Sequence, residues 1–335
     1  MKRKEIISLI ILISVLAYGF YRYATRSYTA EKSQYLMDTI VKISATSKDK
    51  NVGQKIDKVF DYIRNLQDDL DEYKEGGWLW EVNNTDKYHY TMHPDAYKIL
   101  LLADSLYRFS NGNFDITIKP VFDLWQFNSA NPQLPDSLLI KKKLKLVGFD
   151  KIKFNENHLY KPQGMQFTFG ALAKGYIIDR ARDYMLTQDL YKGYIDCQSS
   201  MTFFGNSRLP EIVGIQHPRK MNDVIATLKV KNISLSTSGD YQQFFDLNGV
   251  RYHHILNAHT GYPGRNVYSV TVLNPSAFYS DGLSTCLFIM NPESAMDAIK
   301  RIPDTEAIIY YQKNNTITSL KSRGIKDLLQ SESTQ

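Results

Sequence analysis

From Ile6 to Tyr21 the chain runs for sixteen residues without a charge (IISLIILISVLAYGFY), behind Lys2-Arg3-Lys4-Glu5 and ahead of Arg22. This stretch divides the polypeptide in two before any fold is considered. It lies between a secretory h-region of about 7–15 residues and the roughly 20 expected of a spanning helix. Either reading keeps the basic flank in the cytoplasm and sends the remainder outside it. Ala17-Tyr18-Gly19 puts a ring inside the only small-x-small tripeptide near a cleavage position, and no cysteine follows to carry a lipid. An uncleaved signal anchor is therefore preferred to a cleaved peptide. Residues 1–27 form this membrane segment, 28–329 the folded body, and 330–335 (QSESTQ) a polar tail expected to fray.

The net charge of +6 is concentrated at the front. Five basic residues against Glu5 alone give +4 within residues 1–27, so the body is nearly neutral. A nucleic-acid binder needs a basic stripe on the folded domain itself, and Lys141-Lys142-Lys143 is better read as a solvated helix face. With 43% hydrophobic and 13% aromatic residues the body must pack a core. Two cysteines, Cys197 and Cys286, allow one disulfide at most and exclude a cysteine-rich zinc site.

No repeat, Gly/Ser tract or charge block interrupts residues 28–325, which reads as one mixed α+β body of sheets flanked by helices. The alternating run Gln34 to Ala45 predicts a strand. Ile56, Val59, Phe60, Ile63, Leu66 and Leu70 recur at helical spacing and predict a long amphipathic helix over 52–73. Further helices are expected over 94–109, 175–186, 281–289 and 293–301. Strands are expected over 212–216, 224–230, 267–273 and 307–311.

Nucleotide-loop, zincin and nucleophile-elbow motifs are absent. Four stretches instead crowd polar residues around glycines or aromatics. In Gln166 to Asp179 (QFTFGALAKGYIID) a β-like entry precedes Gly170, Lys174 and Gly175 at a helix start, an arrangement that can face a phosphate or form an ordinary turn. In Ser276 to Leu287, Asp281 and Thr285 are spaced i, i+4 and share one helix face. A carboxylate, a hydroxyl and a nearby carbonyl suit Mg²⁺; the alternative is a helix-start carboxylate beside a buried hydroxyl. Ser236 to Pro263 holds His253, His254 and His259, a poor match to a zinc motif but a source for one general base. If Tyr252-His253-His254-Ile255 is extended, only one of the adjacent histidines can face a site. Gly112 to Phe127, with Asp115, Pro120 and Trp125, reads as core.

In this order the stretches resemble the ApbE family, the FAD:protein FMN transferases. The matching blocks are Met37-Asp38-Thr39 (family M-G-T), Asn113 to Thr117 with Pro120 and Leu124-Trp125 (F-D-x-T…P…L-W), and Gly170 to Tyr176 (G-x-I-A-K-G-Y). They continue with Ser236 to Tyr241 (S-T-S-G-x-Y), His254 to Asn257 with Thr260 to Pro263 (H-I-x-D-P-x-T-G-x-P), and Ser269 to Val272 with Asp281 and Thr285 (S-V-T-V…A-D-x-x-x-T). The resemblance covers residues 34 to 300 and implies an ApbE-like, T-fold-related body. It departs from the family pattern at Asp38 for glycine, Thr168 for a common aspartate and Asn257-Ala258 for Asp-Pro.

The resemblance implies Mg²⁺ held by the Ala171 carbonyl, Asp281 and Thr285. It further implies FAD contacts at Met37, Tyr73, Asn113, Phe114, Asp115, Thr168 and Lys174, and His254 as the base. The implied reaction moves FMN from FAD to a Thr or Ser hydroxyl of an extracytoplasmic acceptor flavoprotein, such as a membrane redox-complex subunit, and releases AMP. Anchoring in the inner membrane, with the body on the periplasmic side, follows from the leader. Two alternatives remain open at this stage: an FAD pyrophosphatase in which water replaces the acceptor, and a tethered flavin-binding protein without catalysis.

Overall fold

A computed structural model describes residues 3–127, 129–207 and 209–333. Lys2 of the basic flank and Thr334 and Gln335 of the tail lie outside the described residues. The apolar leader is the helix Arg3–Ala24, with no residue buried against the body and enough length and hydropathy to cross a membrane. Its 22 residues rise about 33 Å at 1.5 Å each, which matches a bilayer core of about 30 Å.

The body is built on an eight-stranded antiparallel sheet. Its strands, in spatial order, are Tyr28–Leu36, Thr39–Ser47, Lys192–Asp196, Ser200–Phe204, Ser234–Gly239, Val267–Asn274, Glu306–Lys313 and Thr316–Lys321. The alternating run read as one strand is thus a hairpin, broken at Met37 and Asp38. Alternation sorts side chains to two faces. Val41, Ile43, Val270, Val272 and Ile309 join the main core, whereas Leu235, Leu273, Ile308 and Tyr310 point to the other side. The long helix Val52–Leu70 adds Val52, Ile56, Val59, Phe60, Ile63, Leu66 and Leu70 to the main core, each burial stabilising by about 1.5–3 kcal/mol. The helices Ala173–Thr187 and Ala277–Ile289 contribute to that same core.

The opposite face meets a three-stranded sheet of Glu211–Gln216, Val224–Val230 and Leu329–Glu332. The last of these strands corrects the expected tail. Leu329 pairs with Leu228 and Glu332 with Ala226, and Glu332 accepts hydrogen bonds from Tyr310 (3.0 Å) and Ser319 (3.1 Å), so residues 330–332 belong to the body. A polar strand was hidden because its partners, not its own side chains, order it. A third apolar cluster surrounds Trp125, whose indole Nε1 donates to the Gly261 carbonyl at 3.0 Å. Cys197 and Cys286 are both buried and unpaired.

Candidate active site

A cleft of about 650 Å³ is bounded by the hairpin turn at Met37, the segment after the long helix at Tyr73, and the approach to helix Ala173–Thr187. Residues 197–199, 214–216, 237–238 and 241–243, His254 and one face of helix Ala277–Ile289 complete its wall. Such a volume is within the usual range for small-molecule sites.

The turn is strained. Leu36 pairs with Thr39, leaving Met37 (φ 52°) and Asp38 (φ 56°) as a two-residue loop with both residues in the left-handed region. That conformation favours glycine or a short polar residue, which accounts physically for the glycine usual at position 38. Gln67 from the long helix steadies it by accepting the Met37 amide at 2.9 Å.

The segment 166–170 is not a strand, contrary to expectation. Phe167 and Phe169 are buried, and the Phe169 carbonyl accepts the Leu172 and Ala173 amides as the helix begins. Lys174 therefore sits in the first turn and lines the cleft, where its charge and the helix terminus both favour an anion. Gly175 touches the neighbouring helix. A Cβ there would fall 2.4 Å from the Ala277 carbonyl oxygen and 2.6 Å from Asp281 Cβ, so glycine alone permits the approach.

Helix Ala277–Ile289 starts four residues earlier than its sequence predicts, which puts Asp281 in its second turn and removes the helix-start reading. Its cap is Ser276 together with Asp179, whose carboxylate accepts the Ala277 (3.0 Å) and Phe278 (3.1 Å) amides. Asp281, 6% exposed, accepts the Gly175 amide at 2.9 Å and the Ser200 hydroxyl at 3.0 Å. Burial pushes its carboxyl above the usual range, while Lys174, the Gly175 amide and Ser200 oppose the shift. Thr285 Oγ1 is 2.9 Å from Ser238 Oγ, which also contacts Ser284 Oγ at 2.8 Å.

Asp281, Thr285 and Ala171 all line the cleft. No group of three or more His, Cys, Asp or Glu side chains gathers anywhere among the described residues. The donor set is thus one carboxylate with neutral oxygens. That suits Mg²⁺, which takes one or two carboxylates and fills its octahedron with phosphate and water. A buried carboxylate with cationic compensation also makes electrostatic sense there.

His254 lines the cleft and His253 does not; His253 is 3% exposed and packs edge-on against Phe288. The His254 Nδ1 lies 3.3 Å from the Gln243 carbonyl, which can only accept, so Nδ1 carries the proton and Nε2 keeps its lone pair. Burial first, and Lys174 to a lesser extent, hold its pKa down at about 4. His253 is held at about 3, chiefly by burial, although its bond to the Gly264 carbonyl (2.9 Å) opposes the shift.

The His253 depression predicts a pH effect on stability. A histidine that is neutral in the fold and titrates near 6.5 when unfolded makes the unfolded state bind more protons at mildly acid pH. Its contribution is complete above about pH 6.5 and is lost as pH falls towards 3. Between pH 7 and 5, the wild-type Tm should therefore fall further than that of His253→Gln. Equal falls in thermal melts would reject the assignment.

The remaining residues divide. Met37, Tyr73, Phe114, Asp115, Thr168 and Lys174 reach the cleft wall, and Asn113 does not. Asn113 instead accepts from Asn257 Nδ2 at 2.6 Å and so ties two loops together. The Asp115 carboxylate is occupied by the Thr117 amide and hydroxyl (both 2.7 Å) and the Phe149 amide (2.8 Å), a fold-holding set. Phe114 is buried in the core. Sequence reasoning missed Gln243, Ser200, Ser238 and Asp179. Asp179, Ser238 and Gln243 lay inside stretches that stood out without a role being read for them, whereas Ser200 lay in none, and the Ser200–Asp281 contact spans 81 positions.

The ApbE family model matches residues 37–309. The FAD:protein FMN transferase of Klebsiella pneumoniae (strain 342) is 27% identical over 298 residues, covering 87% of this chain and 92% of that protein. The crystal structure of the ApbE protein from Thermotoga maritima superposes with a TM-score of 0.83 at 26% identity, covering 91% of this chain and all of that one. The flavin transferase ApbE from Vibrio cholerae has the same fold, with a TM-score of 0.79 at 23% identity, 91% of this chain and all of that one.

Proposed function

The chain belongs to the ApbE family, and on that premise we propose that it transfers the FMN half of FAD to a serine or threonine hydroxyl of an acceptor flavoprotein outside the cytoplasm, releasing AMP. The observation that carries this reading is the convergence in one cleft of a cationic side chain, a buried carboxylate and a neutral imidazole with a free Nε2. In the proposed step the acceptor oxygen bonds to the FMN-side phosphorus and the pyrophosphate P–O bond breaks. AMP leaves with the bridging oxygen, and the hydroxyl proton passes to His254. Lys174 and the start of its helix orient the pyrophosphate and offset its charge. Ala171, Asp281 and Thr285 would hold Mg²⁺, which when bound supplies further charge neutralisation at the phosphates. Met37, Tyr73 and Thr168 line the space for the rest of the dinucleotide.

The proposed location follows from the leader. Helix Arg3–Ala24 would anchor the chain, with Lys2, Arg3 and Lys4 on the cytoplasmic side and the body facing the periplasm. Incubating the full-length protein in detergent with FAD, Mg²⁺ and a purified acceptor domain tests the reading. AMP release that requires the acceptor is expected. Equal AMP and free FMN without acceptor would assign hydrolysis instead, and tight FAD binding without AMP would assign a binding protein.

A further inference from the structure

Beneath one wall of the cleft is a charged cluster that takes no part in the transfer step. Lys119, in the short helix Lys119–Trp125, is only 5% exposed, yet it carries an ammonium. Its Nζ donates to Asp123 Oδ1 at 2.9 Å and to Glu72 Oε1 at 3.2 Å. The Glu72 side chain is 10% exposed, so the Lys119–Glu72 pair is buried. The same Nζ lies 4.8 Å from the centroid of the Tyr73 ring.

Tyr73 is the opposite of buried. At 66% exposure it is a large aromatic side chain left standing at the lip of the cleft. It directly follows Glu72 and lies just beyond the end of the long helix at Leu70, where no helical hydrogen bonds hold it. An exposed ring on a loop normally samples several rotamers, and ordering it on binding costs affinity. Here the buried cation restrains it from below, and Glu72 and Asp123 fix that cation.

We propose that Lys119 is a positioning residue for substrate: its buried ammonium, clamped by Glu72 and Asp123, holds the Tyr73 ring as a preformed platform on which a planar heteroaromatic ring of the dinucleotide stacks. The proposal rests on the FAD reading above and adds the device that presets the aromatic wall. Lys119 touches neither the reacting atoms nor their ligands, so its loss acts on binding and leaves the chemical step alone. A cation under an aromatic face contributes on the order of a few-fold to ten-fold in affinity.

The test uses the full-length protein in detergent, with FAD, FMN and AMP as separate probes. Lys119→Met should weaken FAD binding by about 3- to 10-fold and raise KM by a similar factor, with kcat at saturation unchanged. Lys119→Arg, which keeps a cation over the ring, should restore affinity. Where the flavin is the stacked ring, its bound fluorescence should also rise in Lys119→Met, because a mobile ring quenches less. Weaker FMN binding alone would place the flavin on Tyr73, and weaker AMP binding alone would place the adenine there; either supports the platform. In a Tyr73→Leu background the Lys119→Met effect should vanish. If Lys119→Met does not fold, Lys119→Gln removes the charge while keeping amide donors for both carboxylates, and the same shifts are expected. Unchanged affinities for all three probes, or equal losses with and without Tyr73, would overturn the proposal. A wild-type protein that binds no FAD would instead contradict the functional reading on which it rests.

Discussion

Asp281→Ala is expected to reduce transfer by about three orders of magnitude or more, the scale seen when a principal electrostatic stabiliser is removed from a reacting site. The carboxylate is the only formally negative donor of the proposed Mg²⁺ set, and it also joins two helices and a strand through the Gly175 amide and Ser200 hydroxyl. Alanine would leave both donors unpartnered, costing about 1–3 kcal/mol each, so loss of activity alone would not separate charge from fold. Asp281→Asn makes the separation. The amide can still accept from Gly175 and donate to Ser200, and it keeps the volume between the helices. Its Tm should stay close to wild type while transfer is lost as fully as in the alanine variant. Excess EDTA should silence the wild type to the same degree. Substantial turnover by Asp281→Asn, or in metal-free buffer, would remove Asp281 from its proposed role.

His254→Ala should retain FAD binding and lose transfer by about 10²- to 10⁴-fold, the range for a positioned general base. The imidazole is neutral at pH 7, because its pKa is held at about 4, so it can accept a proton without first losing one. As pH falls through about 4 it protonates, and kcat/KM should fall there instead of near 6.5. A base that weak is poorly matched to a hydroxyl. Bound pyrophosphate brings negative charge into the same cleft and raises the imidazole pKa, so the acid limb of kcat should lie at higher pH than that of kcat/KM. Unchanged turnover in His254→Ala, or coincident limbs, would reject this assignment.

Much of the scaffold was legible because periodicity reports burial. The long helix, helix Pro94–Phe109 and strand Val224–Val230 all follow from their apolar spacing. The hairpin at Met37–Asp38 was not legible, since Met37 is not a turn former and Asp38 without a neighbouring glycine is a weak turn signal, so the conformation is imposed by pairing of the flanking strands. The start of helix Ala277–Ile289 was misjudged because its cap comes partly from Asp179, 97 positions before Ser276. For the site, the i, i+4 spacing of Asp281 and Thr285 and the alternation that parts His253 from His254 were readable locally. What orders them was not. Gln243, Ser200 and Gly175 reach the site across strand and helix contacts that no local pattern encodes. Asp115 and Asn113 illustrate the converse, since both sit in a matched motif yet spend their polar atoms on the fold.

The most direct test of the central claim is mass spectrometry of an extracytoplasmic acceptor flavoprotein domain after co-expression with this protein. One FMN joined through phosphate to a serine or threonine of the acceptor is expected, absent when Asp281→Asn or His254→Ala replaces the wild type. An unmodified acceptor in the presence of active, FAD-loaded protein would contradict it.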